Sequence, residues 1–420
     1  MIIAGNIIKG RKVMNQFTEN DLINNIISAN NFAEIMLIYH DNIEQLWDYT
    51  ILIFDDPMTQ SINKEPPLAQ TMKLEVVKVV SIFKSSFCLI NNVVCKEMMR
   101  NSCADFEYKN CFDLDVNMMN MLIEIHDNRK NSKSNPIMTD LNLFCNDVTC
   151  FPYMLENAGK ISDSYVEECA IRTLLIYNKF KHSDLHSFSV DYQHEEQDFQ
   201  DTKKSIDFMK GISNGENEFD RILLLQKSIY ALILKTTIIS FHNKNGIKKK
   251  ITELLEFVNK DLGIFLEREI VFCYWFLKNR NDDRIKEFFK KIQTNANNIV
   301  ETIQGMSWDL FHLRFCTEIG MANDIDDGAI CMHYLVTKDK GLARLANEHP
   351  IKYFIHKKGD ILPTIVFEKP IYEVIKEIDI IKNLSENKTE RNENFKNGNI
   401  DQLIKFLENQ LILGNTDIIL

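Results

Sequence analysis

The spacing of apolar residues changes several times along the chain. In NDLINNIISANNFAEIMLIYH (20–40) they recur at three- and four-residue steps, which predicts a helix with Thr18 or Asn20 as its N-cap. TILIFDDP (50–57) is a short β-like run closed by Pro57, and SINKEPPL (61–68) is a loop. LAQTMKLEVVKVVSIFKSSFCLI (68–90) reads as an amphipathic helix or as a helix followed by a strand. Cys111 to Leu114 forms a short strand that runs into Asp115 and Asn117 and then into a Met-, Leu- and Ile-rich helix. After the polar linker DNRKNSKSNP (127–136), a further helix opens around Pro152.

From 161 to about 300 the pattern is helical almost throughout, apart from the polar segment 182–204, an exposed loop or frayed helix. SWDLFHLRFCTEIGM (307–321) is apolar on most faces and predicts a buried helix capped by Ser307. AICMHYLVTKDKGLARLA (329–346) gives a buried strand, a turn at Lys338–Gly341 and a helix. IKYFIH (351–356) and PTIVFE (363–368) are two more strands, and this alternation predicts a parallel sheet with helices on its faces. The tail from 371 is helical and polar, with 385–399 expected to be a mobile linker before a last short helix. No internal repeat is present.

A chain of 420 residues is long enough for two to three domains, and 14 Gly and 8 Pro disfavour a turn-rich all-β protein. With 49 basic and 60 acidic residues the net charge is −11, which excludes a protein that coats nucleic acid through its phosphates but not one that cuts it. The ten cysteines are scattered singly, without a C-x-x-C pair. They read as reduced, mostly buried thiols of a cytoplasmic protein rather than as a zinc site. MIIAGNIIKG lacks the basic n-region of a secretory signal. The longest uninterrupted apolar run, Ile270 to Leu277, is eight residues, well below the ~18 that cross a bilayer, so no membrane association is expected.

The candidate chemistry lies in four acids at element ends. Asp115 follows the Cys111–Leu114 strand and Asp339 follows the ICMHYLVT strand (330–337). Asp309 sits in the first turn expected for the 307–321 helix, and Glu156 lies on the helix opened by Pro152. Functional groups collect beyond the carboxyl ends of parallel strands. Clustered carboxylates there suit Mg²⁺ or Mn²⁺, which take oxygen ligands, activate water and neutralise charge on a phosphodiester.

The segments FDLDVN (112–117), PYMLEN (152–157), WDLFHLR (308–314) and LVTKDKGL (335–342) together resemble the PIN-like ribonuclease family. That family has a strand ending in Asp-x-Asn, an acid on a following helix, an Asp opening a later helix and a strand ending in Thr-x-Asp. The resemblance implies an α/β fold, a PIN-like α/β/α sandwich with a mainly parallel sheet. It also implies divalent-metal-dependent cleavage of RNA, with Asp115, Glu156, Asp309 and Asp339 as metal ligands and catalytic residues. A toxin or phage-defence effector is the role such an activity would serve. The nuclease domain would be discontinuous, 106–160 and 300–370. Around it would lie an extensively helical or mixed N-terminal region (1–105), a helical insertion (161–299) that pairs with a partner or a second copy, and a helical C-terminal tail (371–420).

Each residue also fits a plainer role. Asp339 suits a turn before Gly341, Asp309 and Glu156 suit the dipole of a helix start, and Asp115 suits a cap. Asp113 and Asp147 compete with Asp115 as the first-strand acid, and Asp55–Asp56 is a weaker candidate. Asn117 and Thr337 are supporting residues, since each lies two positions from an acid. Arg314, Lys338, Lys340 and Arg344 are the candidate phosphate contacts, ahead of the pairs Lys290–Lys291 and Lys357–Lys358 and the run Lys248–Lys250. His182, His186 and His194 offer a weak metal face, Asp324, Asp326 and Asp327 only the start of a calcium loop. The Trp275–Phe276 stripe is core or oligomer interface. Two other classes compete: a non-catalytic helical scaffold with a degenerate PIN-like part, and a metal-dependent nuclease acting on DNA.

Overall fold

The computed structural model describes residues 18–29, 31–54, 77–80, 87–101, 106–127, 140, 148–182, 195–215, 219–293, 296, 298–360 and 362–416. Asp55, Asp56, Asp147, His186 and His194 lie outside the described residues. The strands are β1 (Tyr49–Phe54), β2 (Lys78–Val80), β3 (Phe87–Ile90), β4 (Lys109–Leu114), β5 (Val148–Thr149), β6 (Cys331–Thr337), β7 (Ile351–Lys357) and β8 (Thr364–Phe367). They form two four-stranded sheets, ordered β3-β1-β7-β8 and β2-β6-β4-β5. The fold is mixed α/β, with helix greatly in excess. The chain divides into two compact units, one of Met1–Pro66, Ser85–Glu107 and Ile351–Val366, the other of Pro67–Lys84, Tyr108–Pro350 and Phe367–Leu420.

In the first unit β1 is antiparallel to both neighbours, with Ile51 opposite Ile90 and Ile355. Helices α1 (Glu19–Ser28) and α2 (Phe32–Asp41) contribute Leu22, Ile26, Ile35 and Tyr39, and α3 (Asn92–Asn101) contributes Cys95, to a core shared with Ile51, Ile53, Ile90 and Tyr353. The expected single helix over 20–40 is therefore two. Thr18 caps the first in a capping box with Asp21, and Asn31 caps the second by accepting the Glu34 N–H at 3.0 Å. The Asn31 side chain competes for backbone donors and so favours a helix start over a helix interior. The expectation that 351–356 and 363–368 extend a parallel sheet is corrected: β7 joins β1 antiparallel, and β6 and β7 lie in different sheets. A buried apolar run shows that a strand is covered, not which strand it pairs with.

The second unit keeps the parallel pattern in its own small sheet. β4 is parallel to β5 and β6, while β2 adds antiparallel to β6 at the edge. Alternation along β4 and β6 divides the faces. Phe112 stacks on Tyr334 at 5.4 Å between ring centroids on one face, while Cys111, Asp113 and His333 lie on the other. Helix α4 (Val116–Asp127) follows β4 directly, α5 (Phe151–Ala158) follows β5 with Pro152 in its first turn, and α6 (Ser164–His182) comes next.

Two helices run long in the remainder. α7 (Glu195–Ser213) makes regular helix of 195–204, the last ten residues of the polar 182–204 stretch, while 183–194 lie outside the described residues. α8 (Phe219–His242) is long and apolar enough to cross a membrane, yet 78% of its apolar window is buried inside the protein. It serves as a core helix. α9 (Glu267–Lys278) buries Trp275 and Phe276, which assigns that stripe to the core.

Two further expectations change. The helix expected from 307 begins eight residues earlier, as α10 (Ile299–Arg314), and continues through a π-helical segment, 315–320, to Asp326. Ser307 is thus mid-helix: it donates to the Gln304 carbonyl at 2.7 Å and accepts from Gln226. The 385–399 linker is largely the helix Lys388–Asn397. This helix buries nothing of its own and is held by amides, with Arg391 and Asn394 donating to Asn259 at 2.8 and 3.1 Å. A polar sequence conceals such a helix because no apolar stripe marks it.

Phe112→Ala should lower the unfolding free energy by about 3–5 kcal/mol in chemical denaturation, since it removes a fully buried ring and leaves Tyr334 without its stacking partner.

Candidate functional site

The four acids named from the sequence converge. Asp115, Glu156 and Asp309 line one cavity of about 270 Å³ with Asn117, Lys291, Glu301, Thr302, Gly305 and His312, room for several waters. Asp339 borders them through Lys291, whose Nζ lies 2.7 Å from Asp339 Oδ2 and 3.5 Å from Asp309 Oδ2. Those two carboxylate oxygens can be no farther apart than the sum of the two distances.

Each acid is positioned by backbone geometry. Asp115 ends β4 and caps α4, its Oδ1 accepting the Met118 N–H at 2.7 Å, while the buried Oδ2 has no hydrogen-bond partner. Asp339 ends the β6 segment. Its N–H donates to Thr337 Oγ1 at 2.9 Å, and its Oδ1 accepts from Gly341 and Leu342 at the start of α11 (Lys340–Ala346). Gly341 is required where it stands, because a Cβ there would come within 2.9 Å of the backbone of Glu287 and Phe288. That close approach brings the short helix Lys286–Phe289, just ahead of Lys291, against the start of α11 and sets the ammonium beside Asp339. Asp309 lies in the third turn of α10, not the first, and Glu156 lies past the middle of α5. Neither is the helix-start acid that the sequence suggested.

The electrostatics follow from withdrawing several like charges from water together. Burial pushes the Asp115 carboxyl up to about 6, helped by Asp339 and resisted by Thr337, the Met118 N–H and Asn117. Burial likewise raises Glu156 to about 7, with Asp115 adding to the effect and Lys160 opposing it. Asp309 rises to about 7, mainly by burial; Lys291 opposes the rise, and Asp339, Asp115 and Glu156 reinforce it. Asp339 alone is lowered: burial disfavours its charge, but the Lys291 hydrogen bond and the helix-start N–H groups outweigh that. His312 is buried against the cavity and falls to about 3, so its ring is neutral, with Nε2 3.8 Å from Glu156 Oε2.

The four acids supply only oxygen donors, one of them an unpartnered buried carboxylate oxygen, and three of the acids are only partly compensated; the neutral His312 adds a nitrogen at the cavity wall. That chemistry fits a hard divalent cation held by Asp115, Glu156, Asp309 and Asp339.

Among the supporting residues, Asn117 lines the cavity and Thr337 adjoins both Asp115 and Asp339. Lys338, Lys340 and Arg344 are exposed around Asp339. Arg314 is not available to phosphate. Its guanidinium is nearly buried and bound to Glu269 (2.7 and 3.1 Å) and to Glu318 (2.7 Å), with Arg268 3.0 Å from Glu318. Asp113 belongs to a separate cluster with His333, and Asp324 bonds that same histidine rather than opening a calcium loop. His182 is held by the buried Asp198 at 2.8 Å.

Sequence reasoning missed the bridging role of Lys291 and the contribution of Glu301 and Gly305. Glu301, Gly305, Asp309 and His312 repeat at helical steps along α10, a signal hidden by starting that helix at 307. Compared with protein-family models, curated proteins and solved structures, the chain matches none.

Two measurements follow from these charges. Folded Asp309 keeps its proton to about pH 7, whereas in the unfolded chain it ionises near 3.8. Between those values the folded state binds the extra proton, so this group's contribution to stability falls as pH rises through that window and is flat above it. In metal-free buffer, Asp309→Asn should therefore melt above the wild type at pH 8, and the gap should close as pH falls toward 4. Arg314→Met leaves Glu269 and Glu318 short of their counter-charge and should cost about 3–5 kcal/mol in denaturant unfolding; a phosphate-binding surface arginine would cost almost nothing.

Proposed function

We propose that the chain is a divalent-metal-dependent endoribonuclease, a phosphodiester hydrolase of the PIN-like type working in the cytoplasm. The observation that carries this reading is the convergence of Asp115, Glu156 and Asp309 on one cavity, with Asp339 tied to it through Lys291. The parallel core β5-β4-β6, with acids beyond the carboxyl ends of β4 and β6, supports the PIN-like assignment for this part of the chain. Mg²⁺ or Mn²⁺ bound by the four acids would supply charge neutralisation at the phosphate and an activated water.

The remaining work falls to the chain's own side chains. Thr337 and the Met118 N–H orient the Asp115 carboxylate. Glu156, with its carboxyl poised near 7, can hold or release a proton at neutral pH as a general acid or base. Lys338 and Lys340 flank Asp339 from the solvent side and can hold the RNA backbone by its phosphates, with Arg344 one turn further along α11. Lys291 keeps Asp309 and Asp339 from repelling each other when the site holds no cation.

A second reading, a non-catalytic scaffold, has one observation in its favour. The Lys291 ammonium already bridges Asp309 and Asp339 and offsets part of their charge, as a permanent structural counter-ion would. Incubating the purified chain with a mixed pool of RNA and single-stranded DNA, with Mn²⁺ or with chelator, separates the readings. The ribonuclease predicts Mn²⁺-dependent cutting of RNA that falls about a hundredfold or more in Asp309→Asn and in Asp339→Asn. Cutting confined to DNA assigns the deoxyribonuclease alternative. No cutting at all, in a folded wild type, leaves the scaffold.

A further inference from the structure

A second polar cluster lies on the sheet away from the acid cavity. Cys111 and Asp113 are two residues apart on β4 and share a face, and His333 on β6 stands directly opposite Cys111 in the parallel register. One ligand atom from each of the three lies within 4.8 Å of the others. The His333 Nδ1 is 2.9 Å from Asp113 Oδ2, and its Nε2 is 2.8 Å from Asp324 Oδ2.

We propose that Cys111, Asp113 and His333 form a Zn²⁺ site, independent of the acid cavity. Sulfur, imidazole nitrogen and carboxylate oxygen are the three donor types zinc accepts, at about 2.0–2.3 Å from the ion. Donors around one tetrahedral ion are then roughly 3–4 Å apart, a small contraction from the arrangement present. The surroundings supply the outer contacts that a zinc histidine and a zinc carboxylate need. With Nδ1 on the metal, Nε2 keeps its proton and donates it to Asp324, which fixes tautomer and ring orientation. The Thr149 hydroxyl lies 3.3 Å from Asp113 Oδ1 and can steady the ligating carboxylate in turn. Gly320, on the π-helical segment over the sheet, leaves room for the ring: a Cβ there would sit 3.2–3.3 Å from three of its atoms. Cys111 is partly exposed and Asp324 is about one-third exposed, so the ion has a way in. Binding displaces one proton from the Cys111 thiol and one from His333 Nδ1, both released to solvent. No Cys-x-x-Cys spacing announces such a site, because its ligands are gathered by strand pairing across more than two hundred residues.

The test uses the full chain stripped of metal. With excess Mg²⁺ present to occupy the acid cavity, titration with Co²⁺ should raise a near-ultraviolet thiolate-to-cobalt charge-transfer band that saturates at one equivalent per chain, and Zn²⁺ then displaces it stoichiometrically. Cys111→Ser should abolish the band and weaken Zn²⁺ binding at least tenfold, with the far-ultraviolet circular dichroism unchanged. Asp324→Asn should keep the band and weaken Zn²⁺ binding about 10- to 100-fold. Asp309→Asn, which alters only the acid cavity, should leave both readings as in the wild type. A wild-type titration without a thiolate band, or a Cys111→Ser protein that binds Zn²⁺ like its parent, overturns the proposal. So does loss of Zn²⁺ in Asp309→Asn, which would move the ion to the acids, and that outcome is separate from any result of the RNA-cutting assay.

Discussion

The parallel pairing of β4 with β6 is the constraint on which both polar clusters depend. A parallel ladder sets two strand ends side by side, and its register sets each side chain against a defined neighbour. Here Leu114 meets Val336, so that Asp115 and Thr337 come next to each other at the ends of the two strands. The same register sets Cys111 against His333 four residues earlier and places Phe112 on Tyr334 across the other face. A slip of one residue would exchange these faces, burying the polar row under the aromatic packing. The stacked rings therefore hold the register that the polar side chains need.

The unit treats buried charge in two different ways. Glu269 and Glu318 are almost wholly buried, and each faces an arginine fork within hydrogen-bond reach. Burial disfavours ionised Glu269, yet Arg314 holds it below the usual carboxylate range. At the acid cavity three carboxyls are instead raised, and one lysine is set among four acids. The chain demonstrably has the means to neutralise buried acids completely. Under-compensation at a cavity open to solvent is then a property of that place, and perturbed carboxyls in a cleft are a mark of functional sites.

Much of this was legible in the sequence where a local signal carried it. A short apolar strand that stops at an acid shows both the strand and the acid's position at its end, which is why Asp115 and Asp339 could be named. The Thr18 cap was readable for the same reason: a side chain three residues from its partner needs no tertiary information. What failed was non-local or masked by polarity. The pairing of β7 with β1 joins segments three hundred residues apart. The start of α10 at Ile299 lacks a side-chain cap, so Ser307 looked like the better beginning. Arg314 looked free because its partners, Glu269 and Glu318, come from another helix and from the π-helical segment.

The two clusters differ in donor chemistry as well as in place. The cavity offers mostly oxygen donors, from carboxylates, Asn117 and Thr302, with one imidazole and one ammonium in its wall, a setting for hard cations that keep much of their water. Cys111, Asp113 and His333 offer one sulfur, one oxygen and one nitrogen in a tighter, drier arrangement. Affinity rises across the divalent metals in nearly the same order for most sites, so donor type and geometry must do the sorting. Strand alternation accomplishes that here with little sequence: residues 111, 113 and 115 occupy successive same-side positions, and only the last lies beyond the ladder. Position 115 is thereby open to helices α5 and α10, which bring more acids, whereas positions 111 and 113 are confined to what β6 and the π-helical segment present. One polar row on one strand thus presents two donor sets, set apart by where the strand ends.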